Sequence, residues 1–431
     1  MRGAPAAKDR PSADRATTAA PAAAAGFDAL VLAGPEAHEP SVCGLTLSER
    51  ARRVAVRAGA ERVAIVRAPA DAAPLTAGDR PLLVLDAREQ VVHTPLVSGL
   101  RDAHALRGRS RIAVDPARPT EPAGAALLSG DERRAYVAAL RDGAPSLDAL
   151  AAGWLAGGAA DAVPHGELAR HPARTRAERR AATRFLFRLV RKPQDTPLIR
   201  LVNRRVSYPF TRLLLPTPIT PNMISVVVFF IGAFGCWLVS QAGYRPALAG
   251  TAVVLFAGYL DGCDGELARL RLESSKLGAW IDTIADEVTT ILFIVAAGLH
   301  LYHDHPQPAF AAAVVVSTAC ALLSVYVIYY YLIVVARSGN SQDYPSAPGG
   351  RLDLLRMVIK RDFINLAAVG LAAAGLMTLM TVLLDLGAIV TAAILFPQHV
   401  ALRLSRRRER AQAVATSATA LLDPAGPSDL G

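Results

Sequence analysis

The second half of the chain is dominated by long apolar segments. From Asn222 onward six of them follow one another, at 222–241, 246–262, 278–301, 309–336, 362–383 and 386–403. Most approach the roughly 20 residues that a helix needs to cross a bilayer. The pattern predicts an α-helical membrane protein with six transmembrane helices. The last two of these helices are expected to be joined by a short turn near Asp385.

The first half has a different pattern, in which short apolar runs alternate with helix-like stretches. The runs read FDALVLAG, RVAIVRA and PLLVLDA, and the stretch LSERARRVAVRAG has helical spacing. Strands that alternate with helices indicate a parallel α/β sheet. We therefore predict a soluble α/β domain over residues 26–165. Residues 1–25 are rich in Ala and Pro, lack the apolar core of a signal peptide and are expected to be a disordered tail.

A basic connector, residues 166–215, links these two parts. Its last stretch, IRLVNRRVSYPFTRLLL, is amphipathic and contains Pro209 as a possible kink. One helical face carries Ile199, Val202, Val206, Phe210 and Leu213. A basic amphipathic segment just before a membrane span is typical of an interfacial helix. The alternative is an ordinary surface helix.

The charges agree with a membrane protein and set its orientation. The chain is 52% hydrophobic and has a formal net charge of +10. The expected outer loops contain only Arg245 among Lys and Arg, whereas the opposite side carries the basic loop 337–360 and the stretch RLSRRRER at 403–410. The positive-inside rule then places both termini on the cytoplasmic side of the inner membrane. No nucleic-acid partner is needed to explain the charge. Residues 406–431 are expected to be a basic and then disordered tail, after a membrane domain over 216–405.

Four aspartates lie at the cytoplasmic end of the predicted bundle. Asp261 and Asp264 end the second span, and Asp282 and Asp286 begin the third. The spacings are i, i+3 and i, i+4, so each pair shares one face of its helix. Ionised groups at such a depth are expensive and usually functional. Two antiparallel helices could therefore direct two pairs of carboxylates at one point.

Four carboxylates in an apolar setting repel one another unless cations neutralise them. Hard oxygen ligands select Mg²⁺, Mn²⁺ or Ca²⁺ over Zn²⁺, and two such ions suit phosphoryl chemistry. The four cysteines show no paired spacing, so neither a zinc site nor a disulfide framework is expected. Gly265 would let a ligand approach the helix backbone, and Arg269 matches phosphate geometry. Two alternatives remain: a six-span cation transporter, and a catalytically silent membrane anchor for the first domain.

The same residues carry a resemblance to a known family. The pattern D261-x-x-D264-G265-x-x-A268-R269, eight further residues, and G278-x-x-x-D282-x-x-x-D286 resembles the signature of the CDP-alcohol phosphotransferases. The upstream segment TPITPNMIS resembles the start of the first span in such enzymes. The family fold is a six-span bundle, often dimeric, and the resemblance covers about residues 199–405.

The resemblance implies that an acceptor hydroxyl attacks the β-phosphate of a CDP-alcohol and CMP leaves. Four aspartates would ligate two Mg²⁺ or Mn²⁺ ions, and Asp286 would also be the base. The CDP moiety would be held by Gly265, Ala268, Arg269, Ser275 and Asn222. The donor would be CDP-diacylglycerol or CDP-inositol. Separately from the resemblance, the deduced topology puts Lys360, Arg361 and Arg403 at the same membrane face as the aspartates, where they could hold a phosphorylated polar acceptor, with inositol phosphate as the preferred candidate. The alternative is that they are the basic residues that ordinarily flank cytoplasmic span ends.

The first domain resembles the nucleotidyltransferase domain that some family members carry, as in bifunctional enzymes of inositol phosphodiester synthesis. LVLAG at 30–34 resembles the first strand of that fold, and LVLDA at 83–87 resembles the strand that ends in a metal-binding Asp. However, the chain continues as PEAHEPSVCGLTLSERARR, without a Gly-rich loop or a nearby Lys. Pro35 also removes an N–H that a phosphate cradle would use. We therefore expect a degenerate domain without cytidylyltransferase activity.

Overall fold

The computed structural model describes residues 26–76, 78–143, 146–165, 170–190, 202–336 and 361–422. The chain divides into two compact units, Met1–Phe185 and Leu186–Gly431. The first unit extends beyond residue 165, the end predicted for the α/β domain. One reason is that the strand Arg170–Pro172 pairs with the strand Gln90–Val92.

The first unit is an α/β fold built on a six-stranded sheet. Its strands are β1 (Phe27–Leu32), β2 (Ser41–Val42), β3 (Leu45–Thr46), β4 (Ala60–Val66), β5 (Leu82–Asp86), β6 (Gln90–Val92), β7 (Arg111–Asp115), β8 (Arg118–Leu128), β9 (Asp161–Pro164) and β10 (Arg170–Pro172). Its helices are α1 (Leu47–Arg57), α2 (Ala73–Thr76), α3 (Thr94–Arg107), α4 (Gly130–Arg141) and α5 (Leu147–Ala156), followed by α6 (Arg176–Leu189) at the boundary of the units.

The strand order of the large sheet is β4-β1-β5-β8-β7-β9. Strand β1 pairs in parallel with β4 and β5, whereas β8 runs antiparallel to both β5 and β7. The sheet is therefore mixed and not wholly parallel as predicted. The reason is local, because β7 and β8 are joined by a tight turn, which can connect only antiparallel neighbours.

The second unit is the helical part of a multi-pass membrane protein. Its helices are α7 (Arg204–Leu214), α8 (Pro221–Ser240), α9 (Tyr244–Leu270), α10 (Lys276–Asp304), α11 (Pro308–Tyr330), α12 (Arg361–Ala373) and α13 (Met377–Leu422), and a π-helical stretch at Tyr331–Ala336 follows α11. Among the described residues, α8, α9, α10, α11 and α13 are long and apolar enough to cross a membrane. The structure thus shows five candidate spans where six were predicted, and α12 is a shorter apolar helix.

The last connection lies at Gly375 and not near Asp385. Gly375 adopts a φ of +71°, and the Leu376 N–H donates to the Leu371 carbonyl at 2.8 Å. This hydrogen bond and the left-handed glycine end α12 as a Schellman motif. Asp385 lies inside α13 and interacts with Ser317 of α11. Helix α13 also continues through 406–422, a stretch predicted as a tail, because its Ala, Arg and Glu residues favour a helix.

Two glycines allow α8 and α9 to approach each other closely. A Cβ atom on Gly250 would lie 2.5 Å from the Val239 nitrogen, and one on Gly235 would lie 3.0 Å from the Gly250 oxygen. Small residues at a helix interface let two backbones pack closely in a membrane. Helix α10 packs on α8 as well. Helix α8 therefore positions both of the helices that carry the motif aspartates.

Candidate active site

The turn between α9 and α10 is short and closely hydrogen-bonded. The Glu273 N–H donates to the Ala268 carbonyl at 2.8 Å, and Leu272 adopts a φ of +57°. Ser275 then caps α10, because its hydroxyl accepts a hydrogen bond from the Gly278 N–H at 2.9 Å. This geometry reverses the chain within a few residues, so the end of α9 and the start of α10 lie side by side.

Arg271 fixes this turn to the segment before α8. Its buried guanidinium donates to the carbonyls of Ile219 at 2.7 Å, Leu215 at 2.8 Å and Leu214 at 3.0 Å, and also to that of Thr217. These carbonyls belong to the last residue of α7 and to the connection between α7 and α8. The first turn of α8, which Thr220 caps, is thereby held against the end of α9.

Three of the four motif aspartates form one carboxylate cluster. One oxygen from each of Asp261, Asp282 and Asp286 lies within 4.8 Å of the others, and all three residues are half-buried. Asp264 is buried and is directed differently, because its carboxylate accepts hydrogen bonds from the Ser225 hydroxyl and the Gly265 N–H. The structure therefore brings three predicted ligands together, and it holds the fourth with a serine of α8.

A cavity of about 380 Å³ opens beside this carboxylate cluster. Asp286 lies one helical turn beyond Asp282 and is not among the residues that line the cavity. The residues that were predicted for metal or CDP binding and that line the cavity are Asn222, Asp261, Asp264, Gly265, Ala268, Arg269, Ser275 and Asp282. Residues that are far apart in the sequence, on three helices, thus line one cavity that is large enough to bind a ligand.

The motif glycines are in close contact with polar side chains. A Cβ atom on Gly265 would lie 3.0 Å from Nη1 of Arg269, so this guanidinium folds back along its own helix. A Cβ atom on Gly278 would lie 2.7 Å from Oδ1 of Asn222. The room that Gly278 leaves is therefore taken up by Asn222. This contact joins the start of α10 to the start of α8.

The cavity lining carries charges of both signs. Asp261 and Asp282 are anionic, and Arg204 and Arg269 are cationic. Ser275 and Gly278, at the N-terminus of α10, also line the cavity, and helix N-termini favour phosphate groups. Such an arrangement can hold a divalent cation and a diphosphate next to each other.

The residues predicted to bind an acceptor phosphate are only partly described. Lys360 lies outside the described residues, and Arg361 begins α12 with its side chain outside them. Arg403 is exposed, and its guanidinium carbon lies 5.1 Å from the centre of the Tyr330 ring. The structure thus places Arg403 against an aromatic ring of α11.

Several cavity residues were not found from the sequence. Ser225 lies three residues after Asn222, so helical spacing could have placed both on one face of α8. Asn203, Arg204 and Ser207 of the α7 region also line the cavity. They had been assigned to an interfacial segment, and its hydrophobic pattern gave no sign that its polar face meets α9.

The first unit lacks a phosphate-binding loop after β1. Pro35 leads into a short 3-10 helix at Glu36–His38. The carboxylate of Glu39 then accepts hydrogen bonds from the Ser48 N–H at 2.6 Å and from Arg67 at 2.9 Å. At the end of β5, Asp86 forms an ion pair with Arg88. The segment after β1 is therefore held by a carboxylate that is already hydrogen-bonded within the protein.

Sequence similarity supports a family assignment for the second unit. Residues 218–402 match the family model described as CDP-alcohol phosphatidyltransferase. A "bifunctional IPC transferase and DIPP synthase" from Rubrobacter xylanophilus is 38% identical over 127 residues, which is 28% of each chain. A protein of the same name from Aquifex aeolicus is 35% identical over 107 residues, 25% of this chain and 24% of that protein. The aligned stretches thus span about a quarter of these relatives.

Two mycobacterial proteins are also similar. A putative cardiolipin synthase from Mycobacterium tuberculosis is 36% identical over 80 residues, 18% of this chain and 37% of that protein. The crystal structure of the Mycobacterium tuberculosis phosphatidylinositol phosphate synthase with CDP-DAG bound aligns with 45% of this chain and 94% of its own, at 16% identity and a TM-score of 0.36. The family match covers all eight motif positions and the helices that carry them. Residues 218–402 therefore form a CDP-alcohol phosphatidyltransferase domain.

Proposed function

We propose that this protein is a membrane CDP-alcohol phosphotransferase. It transfers the phospho-alcohol group of a CDP-alcohol to an acceptor hydroxyl and releases CMP. The observation that carries the proposal is the cluster of Asp261, Asp282 and Asp286, with oxygens within 4.8 Å of one another beside a cavity lined by the rest of the motif. The family match over the same helices supports it.

The donor set fits a hard divalent cation. Carboxylate oxygens are the ligands that Mg²⁺ and Mn²⁺ prefer, and a close group of three anions in an apolar bundle needs neutralisation. Asp261, Asp282 and Asp286 would hold the ion or ions, and Asp264 would join them if its carboxylate turned from Ser225. Two ions are part of the proposal. When bound, they would supply charge neutralisation at the transferring phosphate and lower the pKa of a bound hydroxyl.

The protein's own residues would position both substrates. The N-terminus of α10 and Arg269 lie where the diphosphate of the donor would be held. Asn222 and Ser275 line the same cavity and would contact the CDP moiety. Asp286 would accept the proton of the acceptor hydroxyl as its oxygen forms a bond to the β-phosphorus. The bond from that phosphorus to the bridging oxygen breaks, and CMP leaves with the bridging oxygen.

Asp286 would be a modest base in this reaction. A carboxylate beside cations has a lowered pKa and a weak affinity for protons. Most of the rate enhancement would then come from the alignment of acceptor and donor. The depth of Asp286 along α10 agrees with such an alignment, because an acceptor would have to reach past the cavity to meet it.

The donor is CDP-diacylglycerol or CDP-inositol in this proposal. The Glu39 carboxylate and the Asp86–Arg88 ion pair support a first unit without cytidylyltransferase activity, so another enzyme would supply the donor. We propose a phosphorylated polar alcohol as the acceptor, with Arg403, Arg361 and Lys360 as partners of its phosphate. Inositol phosphate is the preferred candidate.

The architecture around this site completes the proposal. Helix α12, extended by residues outside the described range, would serve as the sixth span. The basic residues near the motif end of the bundle support a cytoplasmic active site in the inner membrane, with both termini on that side. A homodimer is the expected assembly, as the resemblance implies.

The decisive experiment is a turnover assay of the purified chain in lipid nanodiscs. CDP-diacylglycerol and CDP-inositol are each combined with inositol, inositol phosphate and glycerol phosphate, and the release of CMP and the mass of the product are measured. We expect one donor–acceptor pair to give CMP with Mg²⁺ or Mn²⁺, and EDTA to abolish it. An Asp282→Asn variant is the matched control.

The same purified chain, reconstituted into proteoliposomes, tests the two alternatives. A cation transporter would carry Mg²⁺ or Mn²⁺ across proteoliposome membranes without any CDP-alcohol. A silent membrane anchor would give neither flux nor CMP. Release of CMP without measurable flux is the result that supports the phosphotransferase.

A further inference from the structure

The motif helix α9 carries a fully buried acid that the reaction does not use. Glu266 follows Gly265, and its side chain has no exposed surface. Its Oε1 accepts a hydrogen bond from Ser207 at 2.6 Å and another from the Arg204 guanidinium, and its Oε2 accepts one from Thr211 at 2.6 Å. All three donors belong to α7. A buried carboxylate with this number of donors calls for a specific role.

Helix α7 is attached to the bundle by its polar side. Arg204, Ser207 and Thr211 follow i, i+3, i+7 spacing and are buried, whereas Phe210 and Leu213 are exposed, Leu213 to 70%. This is the reverse of a surface helix of a soluble protein, which buries its apolar face. The exposed apolar side suits a helix at a lipid surface. One carboxylate and its three donors therefore provide the buried polar contact of α7 with α9, beside the Phe210–Phe256 ring contact and the hydrogen bond from Arg271 to the Leu214 carbonyl.

The start of α7 is also a wall of the substrate cavity. Asn203, Arg204 and Ser207 line it together with Asp261, Gly262 and Gly265 of α9. A Cβ atom on Gly262 would lie 3.7 Å from Nη1 of Arg204, so this guanidinium lies against the backbone between Asp261 and Asp264. Any movement of α7 would change the distance between this wall and the motif residues that hold the donor.

We propose that Glu266 is a positioning residue that fixes the α7 wall of the CDP-donor site. The proposal rests on the proposed function and deepens it, because it assigns the wall formed by Asn203 and Arg204 to the donor and not to the acceptor. Glu266 does not touch a substrate in this arrangement. It acts through Arg204, Ser207 and Thr211.

The chemistry requires a carboxylate at this position. A glutamine would offer one acceptor oxygen and one amide group that can only donate. It would leave the Arg204 charge without its buried counter-charge, and breaking one side of a buried pair is far more damaging than replacing both sides. The isosteric Glu266→Gln variant therefore loosens α7 without creating a cavity.

Two variants test the proposal without touching the cavity, since neither Glu266 nor Thr211 is among its lining residues. Glu266→Gln removes the counter-charge, and Thr211→Val removes one donor at constant shape. The matched control is Thr251→Ala, because Thr251 is a buried hydroxyl of the same helix that bonds the Ala247 carbonyl within α9. Each variant is assayed in nanodiscs for the KM of donor and acceptor, for kcat and for hydrogen exchange of the α7 amides.

We expect Glu266→Gln to raise the donor KM about tenfold or more, and Thr211→Val to raise it roughly threefold. The acceptor KM should stay close to that of the wild type. Exchange of the α7 amides should become faster in both variants, while α8 and α10 and the Thr251→Ala control remain unchanged. A faster-exchanging α7 with an unchanged donor KM would overturn the proposal.

A second pair of substitutions covers the case in which Glu266→Gln fails to fold. The double variant Arg204→Met/Glu266→Met leaves no buried charge unpaired and should restore the slow exchange of α7. Because Arg204 lines the cavity, the donor KM is judged on Thr211→Val, and an unchanged donor KM with faster α7 exchange in that variant would overturn the proposal. If the wild type releases no CMP from any donor, the proposed function fails instead, and the exchange data still decide whether Glu266 holds α7.

Discussion

Gly278 and Asn222 face each other across the starts of α10 and α8, so closely that a Cβ atom on Gly278 would lie 2.7 Å from Oδ1 of Asn222. The motif glycine is therefore required by a neighbouring side chain as well as by any ligand. Separations below 3 Å to a Cβ atom are repulsive, so an added methyl group must displace the asparagine.

The first prediction follows from this contact. Gly278→Ala should push Asn222 aside and raise the donor KM about tenfold, because Asn222 is a proposed contact of the CDP moiety. The double variant Gly278→Ala/Asn222→Ala should be no worse than Asn222→Ala alone. Gly370→Ala, with nothing within 4 Å of the added atom, is the control. Equal donor KM values for Gly278→Ala and wild type would show that Asn222 does not contact the donor.

The second prediction concerns the base. Asp286→Asn should lower kcat at least about a hundredfold, because the amide cannot take the acceptor proton. Donor binding should change little, since Asp286 lies beyond the cavity lining. Glu287→Gln, the next acid along α10, should keep most of the activity. Substantial turnover by Asp286→Asn would show that another group accepts the proton.

The third prediction tests the acceptor. Arg403→Ala should raise the acceptor KM roughly tenfold and leave the donor KM unchanged, as expected for a guanidinium that pairs with a phosphate. Arg407→Ala, in the same basic stretch, controls for general effects on membrane insertion. If Arg403→Ala alters only the amount of folded protein, its contact with Tyr330 is structural and an uncharged acceptor is favoured.

The fourth prediction concerns the first unit. The full chain carrying Asp286→Asn should release no pyrophosphate from CTP and inositol phosphate, because the Glu39 carboxylate and Pro35 replace a phosphate-binding loop. The assay follows pyrophosphate with a coupled reaction, alongside an active cytidylyltransferase as the positive control. Pyrophosphate release that depends on both CTP and inositol phosphate would restore a bifunctional enzyme.

The fifth prediction is a pH dependence of stability in the first unit. Burial, together with the nearby charges of Arg50 and Arg57, lowers the pKa of His93 to about 4. The unfolded chain, with an ordinary histidine pKa, binds the proton more readily, so stability is complete above pH 6.5 and decreases as the pH falls towards 4. Between pH 7.5 and 5 we expect a loss of about 2 kcal/mol.

Pulse proteolysis in urea, followed on fragments of the first unit, measures this loss. A His93→Gln variant should be nearly insensitive to pH over the same range. A wild-type midpoint that does not move between pH 7.5 and 5 would mean that His93 can take up a proton without cost in the folded state.

The carboxylate site could be predicted from the sequence because the residues that form it lie close together along the chain. Asp261, Asp282 and Asp286 are placed by helical spacing within two adjacent segments, and the short turn leaves few ways to arrange them. The turn at Gly375 was not predicted because it lies within a long apolar run. The break between the last two helices was predicted near Asp385 instead, because this is the nearest charged residue. Hydropathy cannot show that a left-handed glycine ends one helix and that an aspartate lies inside the next.

The contribution of α7 could not be predicted from the pattern of hydrophobic residues. Its apolar face predicted a lipid surface, whereas the partner of its polar face is Glu266, 62 positions away from Arg204. Long-range polar pairs of this kind leave no periodic signal. In the same way, the antiparallel β8 depends on a tight turn that apolar runs do not reveal.

The close contact of α8 and α9 at Gly235 and Gly250 affects where in the chain substitutions are expected to lower activity. It lies on α8 and α9 some 15–20 Å along the helices from Ser225 and Asp264, given a rise of 1.5 Å per residue. A side chain at either glycine would separate the two helices there. The change in helix spacing would then extend along α8 and α9 to Ser225 and Asp264. The spacing of α8 and α9 is thus set in part by a contact that lies outside the cavity lining. A mutational scan would record severe loss of activity at both glycines, although they are remote from any reacting atom.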